Sequence, residues 1–332
     1  MKIWAILGAR AGDNNQVLAL AEALGLPFEC KRLAYNRWRH LGPRLLGATF
    51  VSLTTRSRAS VTEELPDLTI STGHRSVPVV QALRRRSGGS MRSIHVGYPR
   101  ISPGNFDLVI ATPEYPIPDH PNLLRIPFAL TRQKVDSESN PAFWNDHPTP
   151  RRLLILGGPT LYWKLGEGDV LAAVGALLSA AHAQGGSVLV IGSPRTPPRL
   201  LMQVATQLSR AETPAALVAT GGAPSYAELL NRADSIAVTA DSVAMVSEAI
   251  ATGKPVGMLS IEPTIAGGAW MRLMDRVRPG RRLHPRDLRV FWEALDEEGL
   301  IGSVEEPKRG QVPDLNGHVA RRVKDLLNLE DN

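Results

Sequence analysis

Short apolar runs of strand length alternate with helix-period segments along this chain. The alternation breaks once, at a Pro- and Asn-rich stretch, and then restarts. Strand-length runs are "IWAILG" (3–8), "DLTIST" (67–72), "RSIHVG" (92–97) and "FDLVIAT" (106–112). Between them, "QVLALAEALG" (16–25) and "SVPVVQALRRRSG" (76–88) have apolar residues at helical spacing, with Gly25 as a stop and Pro78 in a first turn. Strands alternating with helices imply a parallel sheet with right-handed crossovers. After "LTRQKVDSESNPAFWNDHPTP" (130–150) the pattern resumes with "RRLLILGG" (151–158), "SVLVIGS" (187–193), "AALVAT" (215–220) and "SIAVTA" (235–240), separated by helical segments. The expectation is an α/β chain of two Rossmann-like domains facing across a cleft. Residues 1–135 would form the first domain, 136–150 a linker and 151–316 the second, with an amphipathic helix at 317–329 packing back on the first.

In doubly wound sheets, ligands sit beyond the carboxyl ends of the strands. The turns there are the places to look for chemistry. "ADSVAMVSEAIATGKP" (240–255) runs from a strand end into a helix that stops at Gly253. Asp241 or Ser242 can cap that helix, and its free N–H groups with the helix dipole suit a phosphate. Asp241, Met245 and Glu248 share a helix face, which puts Glu248 about 10 Å along the axis from the cap. A phosphate at the cap and a carboxylate at that distance fit a pyrophosphate and a ribose diol. The alternative for Glu248 is a solvated helix residue. In "LGGPTLYW" (156–163) the pair Gly157-Gly158, followed by Pro159, allows close backbone approach to a phosphate or simply makes a tight turn. "IGSPRTPP" (191–198) adds Ser193 and Arg195, the latter a candidate bidentate phosphate donor.

In the first half, "GARAGDNNQ" (8–16) reads as a Gly-containing turn. It places Asp13 and Gln16 at the mouth of a helix, with Gly12 admitting a ligand; Asp13 is a general base or a cap. "STGHRS" puts His74 and Arg75 at a second strand end, and "HVGYPR" puts His95 and Arg100 near a third. His74 and His95 are candidate proton acceptors, although a lone histidine is more often structural. No Gly-x-Gly-x-x-Gly, Walker motif or metal-spaced His/Cys cluster is present, so no dinucleotide cofactor and no metal is expected.

Charge adds one further feature. Residues 1–150 hold 18 Lys/Arg against 12 Asp/Glu, while residues 151–332 hold 20 of each, so the net charge of +6 lies entirely in the first part. Segment 31–58 has seven basic residues, no acidic one, and Tyr35, Trp38, Leu45, Leu46 and Phe50 interleaved. Such a stretch attracts an anionic membrane surface, or is a solvated connection whose Arg stems cover apolar area. Nucleic acid is disfavoured, because no binding motif accompanies the charge. The single cysteine, Cys30, suits a reducing compartment, and no signal or membrane-spanning run is evident. The expected location is the cytoplasm, or the periphery of the membrane's inner face.

Taken together, "GDNNQVLALAEALG", "PDLTISTGHRSVPVVQALRR", "HVGYPRISPGNFDLVIATPEY", "LLILGGP" and "YAELLNRADSIAVTADSVAMVSEAIATGKPVGML" resemble the ELM1-type family. That family groups bacterial glycosyltransferase-like proteins with the plant mitochondrial fission factor. The resemblance implies a GT-B-like fold with donor nucleotide on the second domain, acceptor on the first and no obligatory metal. It also implies Glu248 as the donor ribose ligand. Asp241, Ser242 and Val243 would lie near the donor phosphates, Gly157, Gly158 and Pro159 opposite them, and Asp13 and Gln16 toward the acceptor. The co-substrate would be a nucleotide-diphospho sugar, and the acceptor a glycan or lipid-linked molecule. A membrane adaptor without turnover, or a nucleotide-sugar epimerase or hydrolase, would use the same fold.

Overall fold

The computed structural model describes residues 1–62, 64–132, 141–277 and 286–329. The chain divides into two compact units, Met1–Gln133 with Pro313–Asn332, and Lys134–Val312.

The first unit runs β1 (Ile3–Leu7), α1 (Ala11–Ala23), β2 (Phe28–Arg32), α2 (Pro43–Leu46), α3 (Thr55–Thr62), β3 (Leu68–Thr72), α4 (Val77–Arg86), β4 (Arg92–Val96), β5 (Leu108–Ala111) and β6 (Leu123–Arg125). All pairings in its six-stranded sheet are parallel, in the order β2-β1-β3-β4-β5-β6. All five residues of β1 are buried, as a strand covered by helices on both faces requires. Trp4, Val61, Val80, Leu83 and Phe106 form the centre of the core. The last helix of the chain, α12 (Leu315–Leu326), belongs to this unit. It packs on α1, buries Val319 and Val323, and Asn316 donates to the Thr131 carbonyl at 2.7 Å.

The second unit runs α5 (Pro141–Asn145), β7 (Arg151–Leu156), β8 (Trp163–Lys164), α6 (Glu167–Gln184), β9 (Ser187–Gly192), α7 (Pro198–Ser209), β10 (Ala215–Val218), α8 (Tyr226–Arg232), β11 (Ser235–Thr239), α9 (Val243–Ala251), β12 (Val256–Leu259), β13 (Glu262–Pro263), α10 (Ile265–Val277) and α11 (Leu288–Glu297). Its main sheet is parallel throughout, in the order β10-β9-β7-β11-β12, and β8 pairs with β13 in a short antiparallel ribbon. Leu154, Val174, Val188, Val190, Leu200 and Val204 fill the core. Helix α6 ends at Gly185, whose φ of 66° is the left-handed stop its sequence position suggests.

Strand order reverses between β1 and β3 in the first unit and between β7 and β11 in the second. At such reversals the connections leave in opposite directions and open a crevice at the carboxyl edge.

Three expectations need correcting. Residues 11–16 are helical rather than turn. Arg10 is the residue before α1, and the Asn14 side chain closes the short connection by accepting from the Gly8 N–H at 2.8 Å and donating to the Gly8 carbonyl at 3.0 Å. Gly12 is therefore a helical residue. Within the expected linker, 136–140 lies outside the described residues, whereas 141–150 is built into the second unit. Trp144 is buried there, donating to the Glu228 carboxylate at 2.5 Å, with the Arg151 and Arg232 guanidiniums 5.1 and 5.2 Å from its ring. A polar, Pro-rich segment looked like a connection because a single aromatic anchor leaves no periodic pattern. Finally, His95, expected near a strand end as a proton acceptor, is the penultimate residue of β4 but fully buried.

Candidate functional site

The turns at the reversal of the second unit are tied to one carboxylate. Asp241, just after β11, has a side chain only 2% exposed. It accepts from the Gly158 N–H at 3.1 Å, from Thr239 Oγ1 at 2.7 Å and from Arg195 Nη2 at 2.8 Å. These partners come from the turn after β7, the end of β11 and the turn after β9. Arg195 also donates to the Gly158 carbonyl at 3.1 Å, and Thr239 Oγ1 accepts from the Gly157 N–H at 2.8 Å. Thr196 Oγ1 donates to the Gly157 carbonyl at 2.5 Å and accepts from the Ser193 N–H at 2.8 Å; Ser193 Oγ lies 3.1 Å from it.

This network explains the paired glycines. A Cβ on Gly157 would strike the Asp241 carboxylate, and one on Gly158 would strike the Arg195 backbone carbonyl. Their lack of side chains serves Asp241 and Arg195 inside the protein. Arg195 likewise spends two of its nitrogens on Asp241 and Gly158, so it ties turns together and neutralises the buried carboxylate rather than standing as an open fork.

Beyond this knot, Ser242 caps α9, its side chain accepting from the Met245 N–H at 3.4 Å. The Val243 and Ala244 N–H groups, in the first turn, have no acceptor within the helix. Val243 is buried and Met245 half-buried on that turn. Glu248, further along, is half-buried, and its Oε2 accepts from the Tyr226 hydroxyl at 3.1 Å. Burial and the neighbouring Glu248 charge hold the Tyr226 hydroxyl well above the ordinary phenol range, so it is a steady donor. Trp292 donates to the Ala240 carbonyl at 3.0 Å and meets Trp163 edge-on at 5.0 Å, bracing the same turn. Pro159 follows the glycines and is exposed.

The residues singled out in the first unit gather at its own reversal. Strand register places Ser71 beside both Ile6 and His95, and Thr72 beside Val96, so the connections after β1, β3 and β4 leave side by side. They bring Arg10, then His74 and Arg75, then Arg100 to one edge. Gly12, Asp13 and Gln16 lie in the first two turns of α1 and are half-buried. Arg100 has φ 61°, a conformation that costs a non-glycine residue about 1–2 kcal/mol. Burial, and then the charges of Arg100, Arg75 and Arg10, pull the His74 pKa down to about 4. His95 Nδ1 lies 3.0 Å from Ser71 Oγ, and its ring packs on Phe106 at 5.0 Å; burial and the His74 charge lower its pKa to about 3. Both imidazoles are neutral and weakly basic at pH 7. A general base works best with a pKa near the working pH, so neither histidine suits that role as it stands.

Sequence reasoning missed Tyr226, Thr239, Thr196 and Arg10. Thr239 and Thr196 look like ordinary strand-end and turn residues, and Tyr226 reads as the first residue of a capped helix. Arg10 stood inside a quoted turn whose other residues drew the attention.

The family model for mitochondrial fission ELM1 matches residues 11–302. The chain belongs to the mitochondrial fission ELM1 family. The curated relative Mitochondrial fission protein ELM1 of Arabidopsis thaliana is 24% identical over 246 residues, which is 64% of this chain and 56% of that protein. The chain thus spans little more than half the length of that relative. Among solved structures, the fold resembles UDP-GlcNAc 2-epimerase from Methanocaldococcus jannaschii, with a TM-score of 0.56, 13% identity and 99% of each chain covered. It also resembles the S. aureus MnaA-UDP structure, with a TM-score of 0.52, 14% identity and coverage of 99% of this chain and 97% of that one. UDP-GlcNAc 2-epimerase from Neisseria meningitidis bound to UDP-GlcNAc matches with a TM-score of 0.50, 13% identity and coverage of 99% and 100%. At such identities the likeness shows the fold alone. For this ELM1-family chain that fold is α/β, two Rossmann-like units of the GT-B-like class.

Two outcomes follow from this geometry. Asp241→Ala removes one buried acceptor from three donors, and is expected to cost about 3 kcal/mol, read as a lowered urea midpoint. An unchanged midpoint would mean the knot does not hold the turns. The pH dependence has a definite sign. His95 takes a proton near pH 6.5 when unfolded and near pH 3 in the fold, so between these values the unfolded chain binds more protons. Stability is therefore expected to fall as pH drops below about 6.5, and His95→Gln should flatten that fall in urea titrations at several pH values.

Proposed function

We propose that this ELM1-family chain is a glycosyltransferase that moves a sugar from a nucleotide-diphospho sugar, held on the second unit, to a glycan or lipid-linked acceptor on the first. The observation that carries the reading is Glu248, held half-buried by the Tyr226 hydroxyl on the helix that Ser242 caps. A carboxylate fixed in this way can accept both hydroxyls of a ribose. The N–H groups of Val243 and Ala244, with the dipole of α9, suit the diphosphate and its growing charge as it departs. Because Arg195 cancels the Asp241 charge, an arriving phosphate meets no bare carboxylate behind that turn. If transfer inverts the sugar, Asp13 is the proposed proton acceptor, a half-buried carboxylate in the first turn of α1 on the acceptor unit. Gln16, Arg75 and Arg100 would orient the acceptor. The reading needs no metal and no further cofactor.

A second reading draws support from the comparisons. The structures cited above include UDP-GlcNAc 2-epimerases, one of them bound to UDP-GlcNAc. An epimerase or hydrolase would use the same nucleotide site and differ only in product. Addition of UDP-, GDP- or CMP-type ligands is expected to raise the melting temperature, and Glu248→Gln to weaken the best of them at least about tenfold while leaving the unliganded melt unchanged. If no nucleotide stabilises the protein, both readings fail. If one does, mass spectrometry of products from its sugar conjugates separates transfer from epimerisation and hydrolysis.

We also propose a membrane contact through 31–58, the feature an adaptor without turnover would share. Trp38, Leu41 and Leu45 are exposed, the last at 78%, among exposed Arg37, Arg39 and Arg44. Asn36 pins this loop by donating to the Val51 and Leu53 carbonyls at 2.7 and 3.0 Å, so the apolar tips stand on an ordered base. Among the described residues no helix is long and apolar enough to cross a membrane, which leaves surface attachment as the mode proposed. Co-sedimentation with phosphatidylglycerol vesicles is expected, and the combined change of Arg37, Arg39 and Arg44 to Glu should abolish it. Equal sedimentation of the variant would remove this surface from the proposal.

A further inference from the structure

The first unit gathers positive charge at the point where its strand order reverses. Arg10, Arg75 and Arg100 come from three different connections, which the sheet order sets side by side. All three are exposed. Among the described residues none of their side chains has an ion pair or a hydrogen bond, as is also true of Arg44 and Arg58 elsewhere on the unit; these three differ in that their charges meet at one histidine. His74 stands among the three arginines, and their charges act on it. Below it His95 is fully buried, with Nδ1 on Ser71 and Nε2 without a hydrogen-bond partner among the described residues.

Three guanidiniums at one edge repel each other, and an ordinary surface would disperse or pair them. Arg100 also holds a left-handed backbone, φ 61°, which places its side chain where an extended residue would not. Guanidinium groups gathered at one strand edge and free of ion pairs among the described residues suit a phosphate, whose oxygens each accept planar N–H donors. A neutral imidazole among them can donate one more hydrogen bond to the same group.

We propose that Arg10, Arg75 and Arg100, with His74 between them, form a phosphate site at the carboxyl edge of the first unit. The site takes the phosphate of a monoester or diphosphate. Two substrates could supply that chemistry: a phosphorylated acceptor, or the diphosphate of the nucleotide sugar itself. Assigning it to an acceptor rests on the glycosyltransferase reading above, but the phosphate site does not.

The test is a titration of the full-length protein with inorganic pyrophosphate at constant ionic strength, followed through the Cε1–H resonance of His74 assigned with a His74→Gln variant. Pyrophosphate is expected to shift that resonance saturably, while sodium chloride at matched ionic strength does not. Arg75→Ala with Arg100→Ala should weaken the response at least about tenfold. These residues are exposed, so the double variant should fold, and Arg75→Lys with Arg100→Lys should retain part of the affinity. Arg210→Lys, an exposed change in the other unit, should leave the response intact. Repeating the series with UDP separates the sources. Loss of UDP affinity in the double variant assigns the site to the donor diphosphate, and unchanged UDP affinity assigns it to a phosphorylated acceptor. A His74 resonance that ignores pyrophosphate, or responds equally in the double alanine variant, overturns the site. A wild-type protein that binds pyrophosphate here but no nucleotide would instead remove the glycosyltransferase reading and leave this site standing.

Discussion

The buried Asp241 carboxylate is the interaction on which the second unit's carboxyl edge depends. Three strands end within reach of it, and each sends a different donor: a backbone N–H from Gly158, a hydroxyl from Thr239 and a guanidinium from Arg195. A charge this deeply desolvated is tolerated only when its acceptor positions are filled and an opposite charge is near. Both conditions are met here by elements far apart in sequence, so the turns cannot move independently. The glycines at 157 and 158 follow from the same constraint, because any Cβ would occupy the space of the carboxylate or of the Arg195 backbone. What looks from outside like a cradle shaped for a ligand is first a device that fixes the positions of three turns. On its outer rim lies the first turn of α9, whose leading N–H groups have no acceptor within the helix.

The first unit manages charge in the opposite way. Among the described residues, no carboxylate ties Arg10, Arg75 and Arg100 together at its reversal point. Instead it carries Arg10, Arg75 and Arg100 around a histidine that is kept neutral. In the second unit a cation and an anion cancel internally. In the first the cationic side chains face solvent. Two Rossmann-like units built on similar strand patterns thus present different chemistry at the equivalent place, one with backbone N–H groups and a carboxylate on a helix, the other with guanidiniums.

The strands were legible wherever both faces are covered. β1, β7, β9 and β11 are near-continuous apolar runs, as buried parallel strands usually are, while β3 alternates Leu68 and Ile70 with buried Thr69 and Ser71. β2 escaped notice because it is an edge strand with only partial burial, so "FECKR" shows no apolar pattern. α3 has almost no apolar periodicity and buries only Ser57 and Val61. The early start of α1 was hidden by Gly12, Asp13 and Asn14, residues that normally signal a turn; Asn14 earned its place by closing the backbone at Gly8. Cap residues at α9 and the stop at Gly185 obeyed local rules and were readable locally.

Sequence alone determined the α/β class, the positions of most strands and helices, the turns at which chemistry could sit, and through its motifs the ELM1 family. These depend on periodicity, on caps and on stops, all set by neighbours in the chain. Tertiary structure alone decided what each turn residue does. It made Asp241 an internal tie, turned Arg195 toward that tie, seated Glu248 under Tyr226, buried His95 and set Arg10 beside His74. The physical reason is that a polar side chain's role is fixed by which donors and charges lie within hydrogen-bond distance. In a parallel sheet those neighbours come from strands separated by dozens of residues, at distances no local pattern encodes.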